Sequence, residues 1–79
     1  MMFRAAEFAR ELGCTALHPQ IYYVNQKYVD SAHSKGVKVN VWTVNKEKDI
    51  LRLAKMGVDG LITDTPDYVK EVLSQNNLL

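Results

Sequence analysis

Three glycines frame this sequence. Gly13, Gly36 and Gly57 stand 23 and 21 residues apart, and each is followed by an apolar segment and then by a polar turn. Glycine closes a helix well because it reaches positive φ without a steric penalty, so each marks the left-handed end of an amphipathic stretch. The chain therefore reads as an internal repeat of helix, glycine, strand and loop. Strands that alternate with helices at this spacing need crossover connections, and hence a parallel sheet. The expected class is α/β.

Taken in order, Ala5, Phe8, Ala9 and Leu12 share one helical face and predict a first helix over Phe3 to Leu12. Cys14 to Leu17 predicts a short strand ending at His18-Pro19, where proline should block further pairing. Beyond a loop with Tyr22 and Tyr23, Asn25 reads as an N-cap, with Val24 and Val29 placed to form a hydrophobic staple. Val29 and Ala32 carry the buried stripe of this second helix to Gly36. Val37 to Thr43 predicts the second strand. Asn45 is expected to cap a third helix in which Ile50, Leu53 and Ala54 share a face up to Gly57. Val58 to Thr63 predicts the third strand, and Thr65-Pro66 opens a last helix with Val69, Val72 and Leu73 facing inward. From Asn76 onward the chain is expected to fray. The sum is about three parallel strands alternating with four helices, in one domain over residues 1–79.

The alternation within the second strand narrows the architecture. Val37, Val39 and Val41 point one way, while Lys38, Asn40 and Trp42 point the other. An open sheet covered by helices on both sides favours apolar residues on both faces. A closed barrel lets its inner face turn polar towards the mouth, at the C-terminal strand ends. The pattern predicts part of a TIM (β/α)8 barrel. His18, Trp42 and Asp64 then lie at one rim in phase with the inner face, above the small residues Ala16 and Gly60.

Each rim residue has two readings on sequence grounds. His18 before Pro19 either hydrogen-bonds the turn or contacts a ligand. Asn45 is a helix cap or, with less weight, a substrate contact. Asp64 either braces the turn before the last helix or faces the ligand. Trp42 reads as a ligand wall ahead of a buried anchor. No residue has the setting of a nucleophile, and no carboxylate pair or histidine cluster has metal-ligand spacing.

Composition excludes several classes. The formal net charge is +1 with Lys and Glu interspersed, so no nucleic-acid partner is expected. The single cysteine, Cys14, has no partner for an internal disulfide or a thiolate metal knuckle, and reads as a small buried strand residue. No apolar run approaches the roughly 20 residues of a membrane span, and the first residues lack the apolar core of a signal peptide. As written the chain is expected in the cytoplasm, an export signal on a preceding segment remaining open.

Two strings carry a family resemblance. Gly36-Val37-Lys38-Val39-Asn40-Val41-Trp42-Thr43-Val44-Asn45, followed by Gly57-Val58-Asp59-Gly60-Leu61-Ile62-Thr63-Asp64-Thr65-Pro66, resembles the C-terminal end of the glycerophosphodiester phosphodiesterase family. Ala32-His33 resembles the alanine-histidine pair common before the first of these strings, and Leu17-His18-Pro19 resembles the end of the preceding barrel strand. The resemblance covers nearly the whole chain, which it makes the C-terminal segment of the catalytic barrel domain. It implies a phosphoric diester hydrolase of lipid and glycerol metabolism that cleaves glycerophosphodiesters to an alcohol and glycerol 3-phosphate. It also implies a divalent metal, calcium or magnesium, with histidines as general acid and base.

The resemblance places the family's catalytic motifs, His-Arg-Gly and Glu-x-Asp, upstream, and neither is expected in this chain, so no catalytic residue is assigned and no metal is expected to bind here. Carried over by the resemblance, Trp42 is an aromatic wall beside the glycerol moiety, and Asn45 and Asp64 shape the barrel mouth. With His18 these form the expected substrate-binding set. His33, inside a helix of the outer layer, is taken as structural. Two functions stay open: a fragment of a metal-dependent phosphodiesterase, inactive alone, or a self-assembling, non-catalytic module derived from that barrel. Exposed sheet edges and an uncovered inner face predict a homo-oligomer in either case.

Overall fold

The computed structural model describes residues 15–79. The first expected helix, Gly13 and Cys14 lie outside the described residues. The sheet has the order β1 (Ala16–Leu17), β2 (Lys38–Val41), β3 (Gly60–Leu61), and both pairings are parallel. Helix α1 (Gln26–Ser34) connects β1 to β2, α2 (Glu47–Met56) connects β2 to β3, and α3 (Pro66–Gln75) follows β3. This is the strand and helix alternation of a β/α barrel, with three of the four expected helices among the described residues. None of these helices is long and apolar enough to cross a membrane.

The sheet is covered on one side only among the described residues. Val37, Val39, Val41 and Val44 are buried together with Val29, Ala32, Ile50, Leu53, Val69 and Val72 from the helices. Fully burying each larger aliphatic chain contributes about 1.5–3 kcal/mol, so this one-sided layer is where the fold gets its stability. On the opposite face Lys38 is exposed and Asn40 half-buried, while Trp42 and Ile62 remain 39% and 44% exposed. Apolar towards the helices and mixed on the other side is the sidedness of a barrel wall, and not of a sheet sandwiched between helix layers.

β1 departs from expectation at its end. Pro19 does not stop the pairing: Trp42 N–H donates to Pro19 O at 3.1 Å, Ile21 N–H donates to Trp42 O at 2.7 Å, and Gln20 pairs with Trp42 as a parallel bridge. Proline lacks a donor but keeps its carbonyl, and here the carbonyl is the group the neighbouring strand uses. β3 is shorter than the expected Val58 to Thr63. Its flanks are still bonded to β2 and its following loop, through Ile62 N–H to Val41 O at 2.8 Å and Val44 N–H to Ile62 O at 2.9 Å.

All three described helices end in the same way. After α1, Gly36 N–H donates to His33 O and Val37 N–H to Ala32 O; after α2, Gly57 N–H donates to Ala54 O and Val58 N–H to Leu53 O. After α3, Asn77 N–H donates to Ser74 O and Leu78 N–H to Leu73 O. The turning residue is left-handed each time, with φ of 71° at Gly36, 85° at Gly57 and 57° at Asn77. This pair of bonds satisfies carbonyls that the helix itself leaves open, and it delivers an apolar residue back onto the last turn. The expected fraying from Asn76 is therefore not what the structure shows: the tail through Leu78 is bonded to α3.

The N-terminal ends of β2 and β3 are joined by a side chain. Asp59 Oδ2 accepts from Val39 N–H at 2.7 Å and lies 2.8 Å from His33 Nε2. Burial works against the charged carboxylate, but the Val39 bond, the His33 bond and the His33 and Lys38 charges outweigh it and hold Asp59 below the usual carboxylate range. His33 thus serves the base of the sheet, at the end away from Trp42.

Candidate functional site

The C-terminal strand ends carry the candidate residues, in two pairs. The first is His18 with Trp42. In-register pairing of Gln20 with Trp42 brings the loop after β1 across the end of β2, and the Trp42 indole N–H donates to His18 O at 2.6 Å. A donor fixed on a backbone carbonyl sets the ring's orientation and leaves its faces as the part available for contact. It is therefore the His18 carbonyl that anchors Trp42, while the His18 residue itself is exposed. The Trp42–Thr43 peptide that follows is cis.

The second pair is Asn45 with Asp64. Asn45 does not cap α2; the cap position is Lys46, which makes no side-chain cap bond. The Asn45 amide is drawn instead to the loop after β3. Its Oδ1 accepts from Thr63 Oγ1 at 2.8 Å and from Asp64 N–H at 3.1 Å, and its Nδ2 donates to Asp64 Oδ2 at 3.0 Å. Two donors and an acceptor on one loop match the amide's own acceptor and donor, which a single helix N–H cannot. Thr65 precedes Pro66 at the start of α3 as expected, but its side chain makes no cap bond either; Thr65 N–H donates to Thr63 Oγ1 at 3.0 Å. The N-cap expected at Asn25 does form, with Asn25 Oδ1 accepting from Tyr28 N–H at 2.8 Å.

No hydrogen bond joins the two pairs among the described residues; a cleft connects their neighbourhoods. Gln20, Ile21, Tyr22, Trp42 and Thr43 line a space of about 210 Å³. It shares Ile21, Tyr22 and Thr43 with a groove of about 440 Å³ that continues past Asn45 to Lys46, Asp49 and Arg52. Sequence reasoning passes over Gln20 and Tyr22. Proline at position 19 argues for a chain leaving the sheet, and only the continued register puts these residues beside Trp42.

Metal ligation does not emerge from these residues. Among those described there is no group of three or more His, Cys, Asp or Glu that could hold a metal ion. The letters Glu-x-Asp do occur, contrary to expectation, at Glu47-Lys48-Asp49. They form the first turn of α2, where acidic residues suit the helix N-terminus, and Asp49 pairs with Arg52 at 3.6 Å. That triplet is helix chemistry and not a strand-end ligand set.

Comparison with known proteins bears on the fold and the family. The glycerophosphodiester phosphodiesterase of Caldanaerobacter subterraneus subsp. tengcongensis is 40% identical over 52 residues, which are 66% of this chain and 21% of that protein. A solved glycerophosphodiester phosphodiesterase from Parabacteroides distasonis superposes with a TM-score of 0.84 at 28% identity, over 91% of this chain and 31% of that one. A phosphodiesterase from Oleispira antarctica, solved in complex with the product sn-glycerol-3-phosphate, superposes with a TM-score of 0.80 at 26% identity, over 86% of this chain and 28% of that one. The chain thus spans between a fifth and a third of the length of these relatives. The sequence model of the Glycerophosphoryl diester phosphodiesterase family matches residues 2–68, and the chain belongs to that family.

Proposed function

We propose that this chain forms the last β/α units of a barrel that hydrolyses glycerophosphodiesters to glycerol 3-phosphate and an alcohol. In that reaction the oxygen of water bonds to phosphorus, the bond from phosphorus to the alcohol oxygen breaks, and the alcohol leaves with a proton. The observation that carries the reading is Trp42, held at the mouth end of β2 by its bond to His18 O, on the face of the sheet that the helices leave uncovered. An aromatic face there packs against the carbon skeleton of a small polar substrate and orders it. His18, Asn45 and Asp64 complete the substrate-binding set we propose.

A calcium or magnesium ion, where the full barrel binds one, would offset the phosphate charge. The donor set among residues 15–79 does not fit such an ion, and we propose that its ligands and the acid and base lie on other segments of the barrel. Residues 15–79 then supply binding surface and fold closure, and the 79-residue chain alone is expected to be inactive. We also propose that it self-associates, through sheet edges that no described residue covers.

A chimera tests the reading. Residues 15–79 would replace the matching end of the Caldanaerobacter phosphodiesterase, and release of glycerol 3-phosphate would be followed with calcium or magnesium and with chelator. The expected result is metal-dependent hydrolysis in which Trp42→Ala raises KM about tenfold and lowers kcat less, as loss of a packing wall does. A correctly folded chimera in which Trp42→Ala changes neither constant would remove Trp42 from the site. Metal-dependent turnover by the unfused 79-residue chain would overturn the assignment of the catalytic groups to other segments.

A further inference from the structure

We propose that Gln20 is the recognition residue for the glycerol hydroxyls, in a cleft walled by the rings of Trp42 and Tyr22; this rests on the substrate assigned above. The cleft of about 210 Å³ is bounded by Gln20, Ile21, Tyr22, Trp42 and Thr43. It opens to the surface and lies below the range of about 300–1,000 Å³ usual for larger ligands. That space suits a three-carbon polyol and is small for a bulky alcohol group, which the adjoining groove towards Lys46 could take.

The polar partners follow by accounting. The Trp42 indole N–H is committed to His18 O, so this ring offers only its apolar face. Asn45 bonds Thr63 and Asp64 and does not line this cleft. Within the cleft, the Gln20 amide and the Thr43 and Tyr22 hydroxyls remain to bond hydroxyl groups, and of these the amide presents a donor and an acceptor on separate atoms, as the two hydroxyls of a vicinal diol require. Gln20 bridges to Trp42 in the parallel register, which sets its side chain on the same face as the indole. Tyr22, 88% exposed on the turn Ile21–Tyr23, closes the other side of the cleft and gains contact when a ligand fills it.

The test uses the full 79-residue chain labelled with ¹⁵N, in which Trp42 is the single tryptophan and gives one indole N–H signal. Glycerol 3-phosphate and n-propyl phosphate, which keeps the phosphate and the three carbons but lacks both hydroxyls, would be titrated to tens of millimolar. The native chain is expected to prefer glycerol 3-phosphate. Gln20→Leu should weaken glycerol 3-phosphate about tenfold and leave n-propyl phosphate unchanged, the effect of one lost hydrogen-bonding group. Tyr22→Ala should weaken both ligands several-fold. Both positions are exposed, and neither variant touches the core. If Gln20→Leu keeps the native preference while Trp42 still reports binding, the role of Gln20 is overturned and the substrate reading stands. If neither phosphate moves the Trp42 signal, the placement of substrate at this strand end fails, and the role of Gln20 fails with it.

Discussion

At the scale of single residues, Asp59 has the sharpest consequences, because one carboxylate oxygen serves a buried strand and a histidine together. Val39 is fully buried, and its N–H is satisfied by Asp59 Oδ2. Asp59→Ala strands that donor and should cost about 1–3 kcal/mol in urea unfolding. Asp59→Asn keeps an acceptor for Val39 and should cost less, but it removes the titration. The pH dependence has a definite sign. The folded state holds Asp59 below its ordinary range, whereas the unfolded chain titrates near about 3.9. Above that value both states are ionised and the contribution is fully present. As pH falls below it the unfolded chain takes up the proton first, and the contribution is lost as pH passes through the folded pKa. Stability measured between neutral pH and acid should fall more steeply in the native chain than in Asp59→Asn. Equal slopes would show that the carboxylate contributes nothing in its charged form. The sequence reading places Asp59 inside the third strand and gives no sign of this role, because both partners are distant in sequence, His33 by 26 positions and Val39 by 20.

At the scale of elements, the helices are legible because their signals are local. The apolar stripe, the Asn25 cap and the two left-handed glycines all act within a turn or two of the chain, and each appears where the spacing places it. The illegible parts are those decided by a second strand. Pro19 reads as a terminator because it lacks a donor, yet the neighbour asks for its carbonyl. Asn45 reads as a cap because caps are near, yet the loop after β3, 19 residues away, offers it more bonds. Gln20 and Tyr22 are hidden for the same reason as Pro19. The end of α3 lies between these cases. Asn77 does there what Gly36 and Gly57 do elsewhere, at φ 57° and with the same two bonds behind it. Asparagine tolerates that conformation better than other residues with a side chain. Asn77→Ala should therefore cost about 1 kcal/mol and Asn77→Gly nothing measurable. A loss on Asn77→Gly as large as on Asn77→Ala would mean that the Asn77 side chain, and not its backbone, holds the end of α3.

At the scale of the whole molecule, the one-sided layer leaves apolar positions uncovered among the described residues. Trp42 and Ile62 are 39% and 44% exposed on the uncovered side of the sheet, and Tyr22 and Tyr23 stand 88% and 51% exposed at its mouth. β3 pairs only with β2 among the described residues, and from Gly60 to Thr63 it carries no charge to discourage a further strand. Charged residues, proline or cover are the usual guards of such an edge. Among the described residues its shortness is the one guard, and a two-residue strand is a weak one. A second copy can cover the apolar positions and complete the hydrogen bonds in one step, and a formal net charge of +1 opposes it little. We expect dimers or larger assemblies by light scattering at tens of micromolar. Ile62→Lys, which sets a charge on the uncovered face beside the free edge, should shift the chain towards monomer while leaving its helical circular dichroism intact. Because association buries apolar surface and few charges, added salt should not dissolve the assembly as it would one held by ion pairs. A monodisperse monomer from the native chain would show instead that the open edge is covered from within, and the assembly proposed here would fall.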